Sequence, residues 1–212
     1  ANLLVECLIN QGVDKIYGVP GESYLSVLDA LYDFNDKINF ISTRHESAAS
    51  FMAEAYGKLT GEVGICFVTR GPGATNASIG VHTAMQNSSP MILFIGQIGR
   101  DMTEREAFQE IDYKAYFGSI SKWVVQVNNA DRLPEIIGRA FSMALSGRPG
   151  PVVVSLPEDM LRDLTSAVAI NKIQKTCAEI SVTQVNLIKD ELENSKKPLI
   201  ICGGGGWSDV GR

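Results

Sequence analysis

Three short stretches combine residue types that could do chemistry with spacings that would expose them. The first is Gly18-Val19-Pro20-Gly21-Glu22, where the Pro-Gly pair forces a tight turn and lets backbone approach a ligand or another chain closely. By itself it reads as a turn. The second is Thr43-Arg44-His45-Glu46-Ser47-Ala48-Ala49. Glu46 falls in the first turn of a helical pattern, and two roles fit it there. A carboxylate at that place complements the helix dipole, an effect of about 0.3–1 kcal/mol. Alternatively, Ala48, Ala49, Phe51, Met52 and Ala53 predict a largely buried helix. A carboxylate stripped of hydration is suited to share a proton with a bound nitrogen base. His45 reads as a hydrogen-bonded helix-entry residue, because no second histidine or acidic cluster stands at ligand spacing.

The third stretch is Thr69-Arg70-Gly71-Pro72-Gly73-Ala74-Thr75-Asn76. Two glycines around a proline clear side chains from a surface and expose amides at a helix N-terminus. No Gly-Lys-Ser/Thr follows, and the Gly-x-Gly-x-x-Gly spacing is missing, so no phosphate cradle is indicated. A pocket for a flat, neutral ring is allowed. His82 lies inside the next helical pattern and reads as a packing or surface residue. The late glycines Gly203 to Gly206 hint at a nucleotide loop, but Gly203-x-Gly205-x-x-Ser208 lacks the third glycine.

Each stretch needs an element on either side to hold it. Short β-branched apolar runs predict strands at residues 15–18, 38–42, 63–68, 91–95, 123–127, 152–156 and 199–202. Several are apolar at consecutive positions, as strands covered on both faces must be. Between them lie helical stripes. Leu4, Cys7 and Leu8 form one, closed by Gly12, and Tyr24, Val27, Leu28 and Leu31 form a second. Residues 45–58 place Ala48, Ala49, Met52, Ala53 and Tyr56 on one face. Leu133, Ile136, Ile137, Ala140, Phe141 and Ala144 make another stripe, with Asp131 as N-cap and Pro134 in the first turn.

Alternating strands and helices predict an α/β fold, a parallel sheet of about six strands with helices on both faces. Right-handed crossovers then bring the loops after each strand to one edge, where ligands of such sheets bind. The pattern holds over residues 1–164. Periodicity fades over 165–182, which reads as a linker. Residues 183–212 begin a new helix, a strand and the glycine cluster. They read as the truncated start of a second α/β domain, since so short a piece cannot bury its own core. Both ends of the chain read as cut from something longer.

Composition narrows the function. The 212 residues are 45% hydrophobic and 20% charged, the balance of a globular chain rather than a disordered one. Nineteen basic against twenty-four acidic residues leave a net charge of −5, which argues against nucleic acid as partner. The longest apolar run, residues 91–95, is far too short to span a membrane. Cys7, Cys66, Cys177 and Cys202 are scattered, without a Cys-x-x-Cys pair, so neither a disulfide framework nor a structural zinc is expected. A reducing, cytoplasmic location fits best, and no signal peptide opens the chain.

In this order, the three stretches resemble the N-terminal, pyrimidine-binding domain of thiamine-diphosphate-dependent enzymes, closest to the acetolactate synthase group. The matching residues are Tyr17-Gly18-Val19-Pro20-Gly21, Arg44-His45-Glu46-Ser47-Ala48-Ala49, Met52-Ala53-Glu54-Ala55-Tyr56-Gly57 and Gly71-Pro72-Gly73-Ala74-Thr75-Asn76. Further matches are Ser89-Pro90, Gly96-Gln97, Ala107-Phe108-Gln109-Glu110 with Asp112, and Gly150-Pro151-Val152. Lys197-Pro198-Leu199-Ile200-Ile201 resembles the start of that family's central domain.

The resemblance implies thiamine diphosphate as cofactor and a 2-oxo acid as small-molecule substrate. Glu46 matches the glutamate that hydrogen-bonds the pyrimidine ring nitrogen and so favours the imino tautomer, which removes the thiazolium C2 proton. Pro20, Thr69, Pro72 and Asn76 match residues lining the pyrimidine pocket, and Gln109 matches a residue facing the reacting carbon. Mg²⁺ and the diphosphate would be held by a domain absent from this chain, which carries no metal ligands of its own and should be inactive alone. The full-length enzyme would be a dimer or tetramer with its active site at a subunit interface, and FAD is compatible with the resemblance.

Three departures keep other readings open. Arg70 stands where the group commonly has a small residue, Asn87-Ser88 replaces Asp-Ser, and residues 101–106 are unusually charged. Oxo-acid decarboxylases and sulfoacetaldehyde-processing enzymes share the scaffold. Outside it stand a nicotinamide oxidoreductase, disfavoured by the missing phosphate fingerprint, and a non-catalytic α/β binding module. The module gains if Glu46 is exposed and the three loops do not converge.

Overall fold

A computed structural model describes residues 1–176, 178–201 and 203. The first six strands form where the apolar runs predict them: β1 (Lys15–Gly18), β2 (Asn39–Ser42), β3 (Gly64–Val68), β4 (Met91–Gln97), β5 (Trp123–Gln126) and β6 (Pro151–Pro157). Before, between and after them run α1 (Asn2–Asn10), α2 (Leu25–Asp33), α3 (Glu46–Thr60), α4 (Pro72–Asn87), α5 (Tyr113–Phe117), α6 (Leu133–Leu145) and α7 (Val182–Asn194). The strands make one six-stranded sheet in the order β2-β1-β3-β4-β6-β5, and every pair is parallel.

The central strands β3, β4 and β6 are buried at every position, which explains why apolar residues stand at consecutive positions along them. Successive residues serve opposite faces. Ile92 and Phe94 of β4 join one core with α1, α2 and α6, while Met91, Leu93 and Ile95 join a second core under α3, α4 and α5. In the first core, Phe67 and Phe94 stack with ring centroids 4.6 Å apart.

To the second core α3 and α4 contribute mostly alanine: Ala49, Ala53, Ala74, Ala77 and Ala84. Small side chains let α3 and α4 approach closely. At the crossing, a methyl on Gly80 would stand 2.5 Å from Ser50 Cβ and 2.7 Å from the Ser50 carbonyl carbon. Further along, the buried Glu54 carboxylate accepts hydrogen bonds from Asn87 Nδ2 (2.9 Å) and Ser89 Oγ (2.8 Å), tying the two helices at the other end.

Gly80→Ala should therefore destabilise the protein, although alanine is the better helix former by ~1 kcal/mol. Overpacking against a neighbouring backbone costs about 1–3 kcal/mol and more when the backbone cannot yield. A net loss near ~2 kcal/mol lowers the melting temperature by roughly 4–8 °C at this size. Thermal denaturation followed by circular dichroism checks this, and an unchanged or raised midpoint would contradict the close crossing.

Three expectations need correction. Asp131 is not the N-cap of α6. A short 3-10 turn (Ala130–Arg132) precedes the helix, and Asn129 caps it by accepting the Asp131 amide at 2.9 Å. No strand forms at residues 199–201, which are irregular, while Cys202 and residues 204–206 lie outside the described residues. An isolated strand would leave both rows of backbone groups unpaired. Finally, α3 is not largely buried: Ala48, Phe51 and Met52 face outward, because Ala49, Ser50, Ala53, Glu54 and Gly57 already fill the contact with the sheet and α4.

Among the described residues of 165–181 none stands in a helix or strand. Their first half is nonetheless held. The buried Gln11 side chain donates to Asn171 O (2.9 Å) and accepts the Ile173 amide (3.0 Å), and Ile170 and Ile173 pack on the first core. Helix α7 opens with a Ser181–Gln184 capping box and buries none of its residues. Cys7 and Cys66 are free and buried. No described helix is long and apolar enough to cross a membrane.

Candidate functional site

The three stretches follow β1, β2 and β3, which are neighbours in the sheet and parallel, so all three open at the same edge. His45 stands in extended backbone and caps α3, its Nδ1 accepting the Ser47 amide at 3.3 Å. That is the helix-entry role expected of it. His82 is exposed on α4.

Glu46 is the first residue of α3 and is half-buried. Its Oε2 accepts a hydrogen bond from Asn76 Nδ2 at 2.9 Å, across from the second turn of α4. Gly73, in the first turn of α4, stands beside this contact: a methyl there would stand 3.5 Å from Glu46 Oε1 and 2.9 Å from Thr69 Cγ2. Glu46, Thr69, Gly73 and Asn76 thus gather in one place, around a carboxylate whose Oε1 lies close to the glycine. Pro72 opens α4, where its missing N–H costs nothing, and with Pro20 and Asn76 it is exposed at the rim.

The first loop joins through Ser23, whose Oγ shares a 2.8 Å hydrogen bond with Thr69 Oγ1 and also accepts the Arg70 amide at 3.2 Å. A methyl on Gly21 would stand 2.5 Å from Thr69 Cβ. So the loops converge, as the binding-site readings require. Beneath them, the buried Cys66 thiol is pushed up by burial first and by the Glu46 charge second, which keeps it protonated and unreactive.

Gly71 has φ 62° and ψ −115°, a combination that only glycine adopts readily. Its amide donates to Tyr113 Oη at 3.0 Å, and burial pushes the Tyr113 phenol up to about 12. Gln109 stands directly against this turn: a methyl on Gly71 would lie 2.6 Å from Gln109 Cβ. Gln109 itself has φ 67° and is half-buried. The structure therefore brings Gln109 to the Gly71 end of the site, while Glu46 and Asn76 form the other.

Sequence reasoning missed Ser23 and Tyr113, which hold the turn. Nothing in their local sequence marks them, since their partners lie 46 and 42 residues away. Among the described residues no group of three His, Cys, Asp or Glu side chains is placed to hold a metal ion. A flat heterocycle with one basic nitrogen fits the donor set: a carboxylate for the nitrogen, glycines where side chains would obstruct, and small polar groups at the rim.

Comparison with known proteins agrees. Residues 1–116 match the family model described as "Thiamine pyrophosphate enzyme, N-terminal TPP binding domain". Over 211 residues the chain is 36% identical to the acetolactate synthase isozyme 3 large subunit of Escherichia coli, covering 97% of the chain and 37% of that protein. It is also 36% identical to the mitochondrial acetolactate synthase catalytic subunit of Saccharomyces cerevisiae (94% and 31% covered) and to the acetolactate synthase large subunit of Lactococcus lactis (97% and 36%). The chain spans about a third of the length of these curated relatives. With its loops converging on Glu46 and more than half its length matching the family model, the chain belongs to the thiamine pyrophosphate enzymes and carries their N-terminal TPP binding domain.

Proposed function

We propose that this chain is the cofactor-activating part of a thiamine-diphosphate-dependent 2-oxo acid carboligase or decarboxylase of the acetolactate synthase type. One observation carries the reading: the Glu46 carboxylate, oriented by Asn76 and opening beside Gly73 at the ligand edge of the sheet. When bound, thiamine diphosphate supplies the carbon nucleophile that cleaves and joins 2-oxo acids.

In this reading Glu46 holds a proton against the pyrimidine nitrogen, and Asn76 fixes the carboxylate so that one oxygen remains for that contact. Pro20, Thr69, Pro72 and Asn76 line the ring's pocket, and Gln109 faces the substrate. Residues 1–164 form the pyrimidine-binding domain, 165–182 a linker and 183–212 the start of the central domain. Mg²⁺ and the diphosphate belong to a region outside this chain. Exposed Phe51, Met52 and Ile79, on α3 and α4 beside the site, support a docking face for a second subunit, hence a dimer or tetramer with its active site at the interface. The free, buried Cys7 and Cys66 support a reducing, cytoplasmic setting.

The test is direct. Full-length protein given thiamine diphosphate, Mg²⁺ and pyruvate should release CO₂ and form acetolactate. If no 2-oxo acid is consumed under any of these conditions, the reading fails.

A further inference from the structure

Arg70 is a buried cation whose every nitrogen position is engaged. Its Nε donates to Phe108 O (3.2 Å), Nη1 to Glu158 Oε2 (3.0 Å) and Nη2 to Glu22 Oε1 (3.3 Å). Its own amide donates to Ser23 Oγ. One side chain thus joins the segments after β1, β3, β4 and β6 at the ligand edge of the sheet. With two carboxylates on one guanidinium, no charge remains on it for a substrate anion.

The segment it reaches through Phe108 is a strained one. Between β4 and α5 the residues Glu104, Glu106 and Gln109 all have left-handed backbone, at φ 61°, 52° and 67°. Such conformations in non-glycine residues persist only when surroundings hold them. At its base the loop is pinned by Arg100, which donates to Asp159 Oδ2 (2.7 Å) and to Asp163 (2.8 Å). In its middle the Glu110 carboxylate accepts the amides of Glu104 and Ala107. At the tip Phe108 is 73% exposed. Beside the packing of Gln109 on Gly71, the tip is hydrogen-bonded to the β3–α4 turn by Arg70 Nε donating to the Phe108 carbonyl, one residue before Gln109.

We propose that Arg70 is a positioning residue that clamps the 100–110 loop to the Gly71 turn and so sets where Gln109 stands. A guanidinium delivers three donors in fixed directions, which a lysine ammonium on a single nitrogen does not reproduce. The role assigned to Gln109 rests on the proposed function; the clamp itself does not.

Two measurements on the full-length protein test it. Without cofactor, Arg70→Ala should speed amide hydrogen exchange at residues 104–110, and Arg70→Lys should fail to restore protection there. With cofactor, Arg70→Ala should lower kcat/KM for the 2-oxo acid by up to about 100-fold, the scale of a displacement near 1 Å. Cofactor C2 proton exchange should stay unchanged, and adding Gln109→Ala should bring little further loss. Glu158→Gln, on a half-exposed carboxylate, gives the same direction with smaller size and covers the case in which Arg70→Ala does not fold. Unaltered exchange at 104–110, restoration by lysine, or fully additive losses with Gln109→Ala would overturn the clamp. Failure of the proposed function would instead appear as absent 2-oxo acid turnover in the parent protein, with the exchange experiment still deciding the clamp.

Discussion

Glu46→Gln in the full-length enzyme is expected to lower turnover by about 10²–10⁴-fold, the range typical of losing a positioned proton-transfer group. The amide keeps the side chain's length and can still accept from Asn76 Nδ2, the 2.9 Å contact that orients it. What it cannot do is exchange a proton with a ring nitrogen. The cost to folding should be small. Glu46 is half-buried, its neighbours on the outer face of α3 are exposed, and loss of a charge at a helix start is worth about 0.3–1 kcal/mol. Steady-state kinetics beside a melting curve separates these effects. Near-normal turnover, or a collapsed fold, would remove Glu46 from its assigned role.

The second large effect concerns the 212-residue chain by itself, which should show no turnover and only weak, Mg²⁺-insensitive binding of thiamine diphosphate. Its sequence contains no Gly-Asp-Gly segment, and its described residues gather no metal-binding group. In the proposed reading the charged contacts to the diphosphate, which are the strong ones, come from a region outside this chain. The half of the pocket that is present is open at the rim, with Pro20, Pro72 and Asn76 exposed. Phe51 and Met52 on α3 and Ile79 on α4 should also drive self-association. Calorimetry with and without Mg²⁺, together with sedimentation, reads both expectations. Tight Mg²⁺-dependent binding, or pyruvate consumption by the chain alone, would show that this division of labour is wrong.

Which parts of this were legible in sequence follows from the physics of each part. The buried strands announce themselves because β3, β4 and β6 are covered on both faces and are apolar over most of their length, with Gln97 and Ser155 the polar exceptions in β4 and β6. Loops that follow such strands must meet at one edge, so the sequence alone groups Glu46, Thr69, Pro72 and Asn76. The exposure of α3 was not legible. Alanine, methionine and phenylalanine look alike in sequence whether they face a sheet or an open surface, and Ala48, Phe51 and Met52 face the open side. Nor was the network around Arg70, whose partners Ser23, Phe108 and Glu158 stand 47, 38 and 88 residues away. Arg70 could be marked as an unusual residue at its position, but its task depends on tertiary contacts. The missing strand at 199–201 is the reverse case: local propensity is present, and no strand among the described residues pairs with it.

The most direct test of the central claim is the exchange rate of the thiamine diphosphate C2 proton on the full-length protein, followed by NMR after quenching from D₂O. With native Glu46 the bound cofactor should exchange orders of magnitude faster than the free cofactor, and Glu46→Gln should return it close to the free rate. Equal rates in the native protein and the variant would contradict the account.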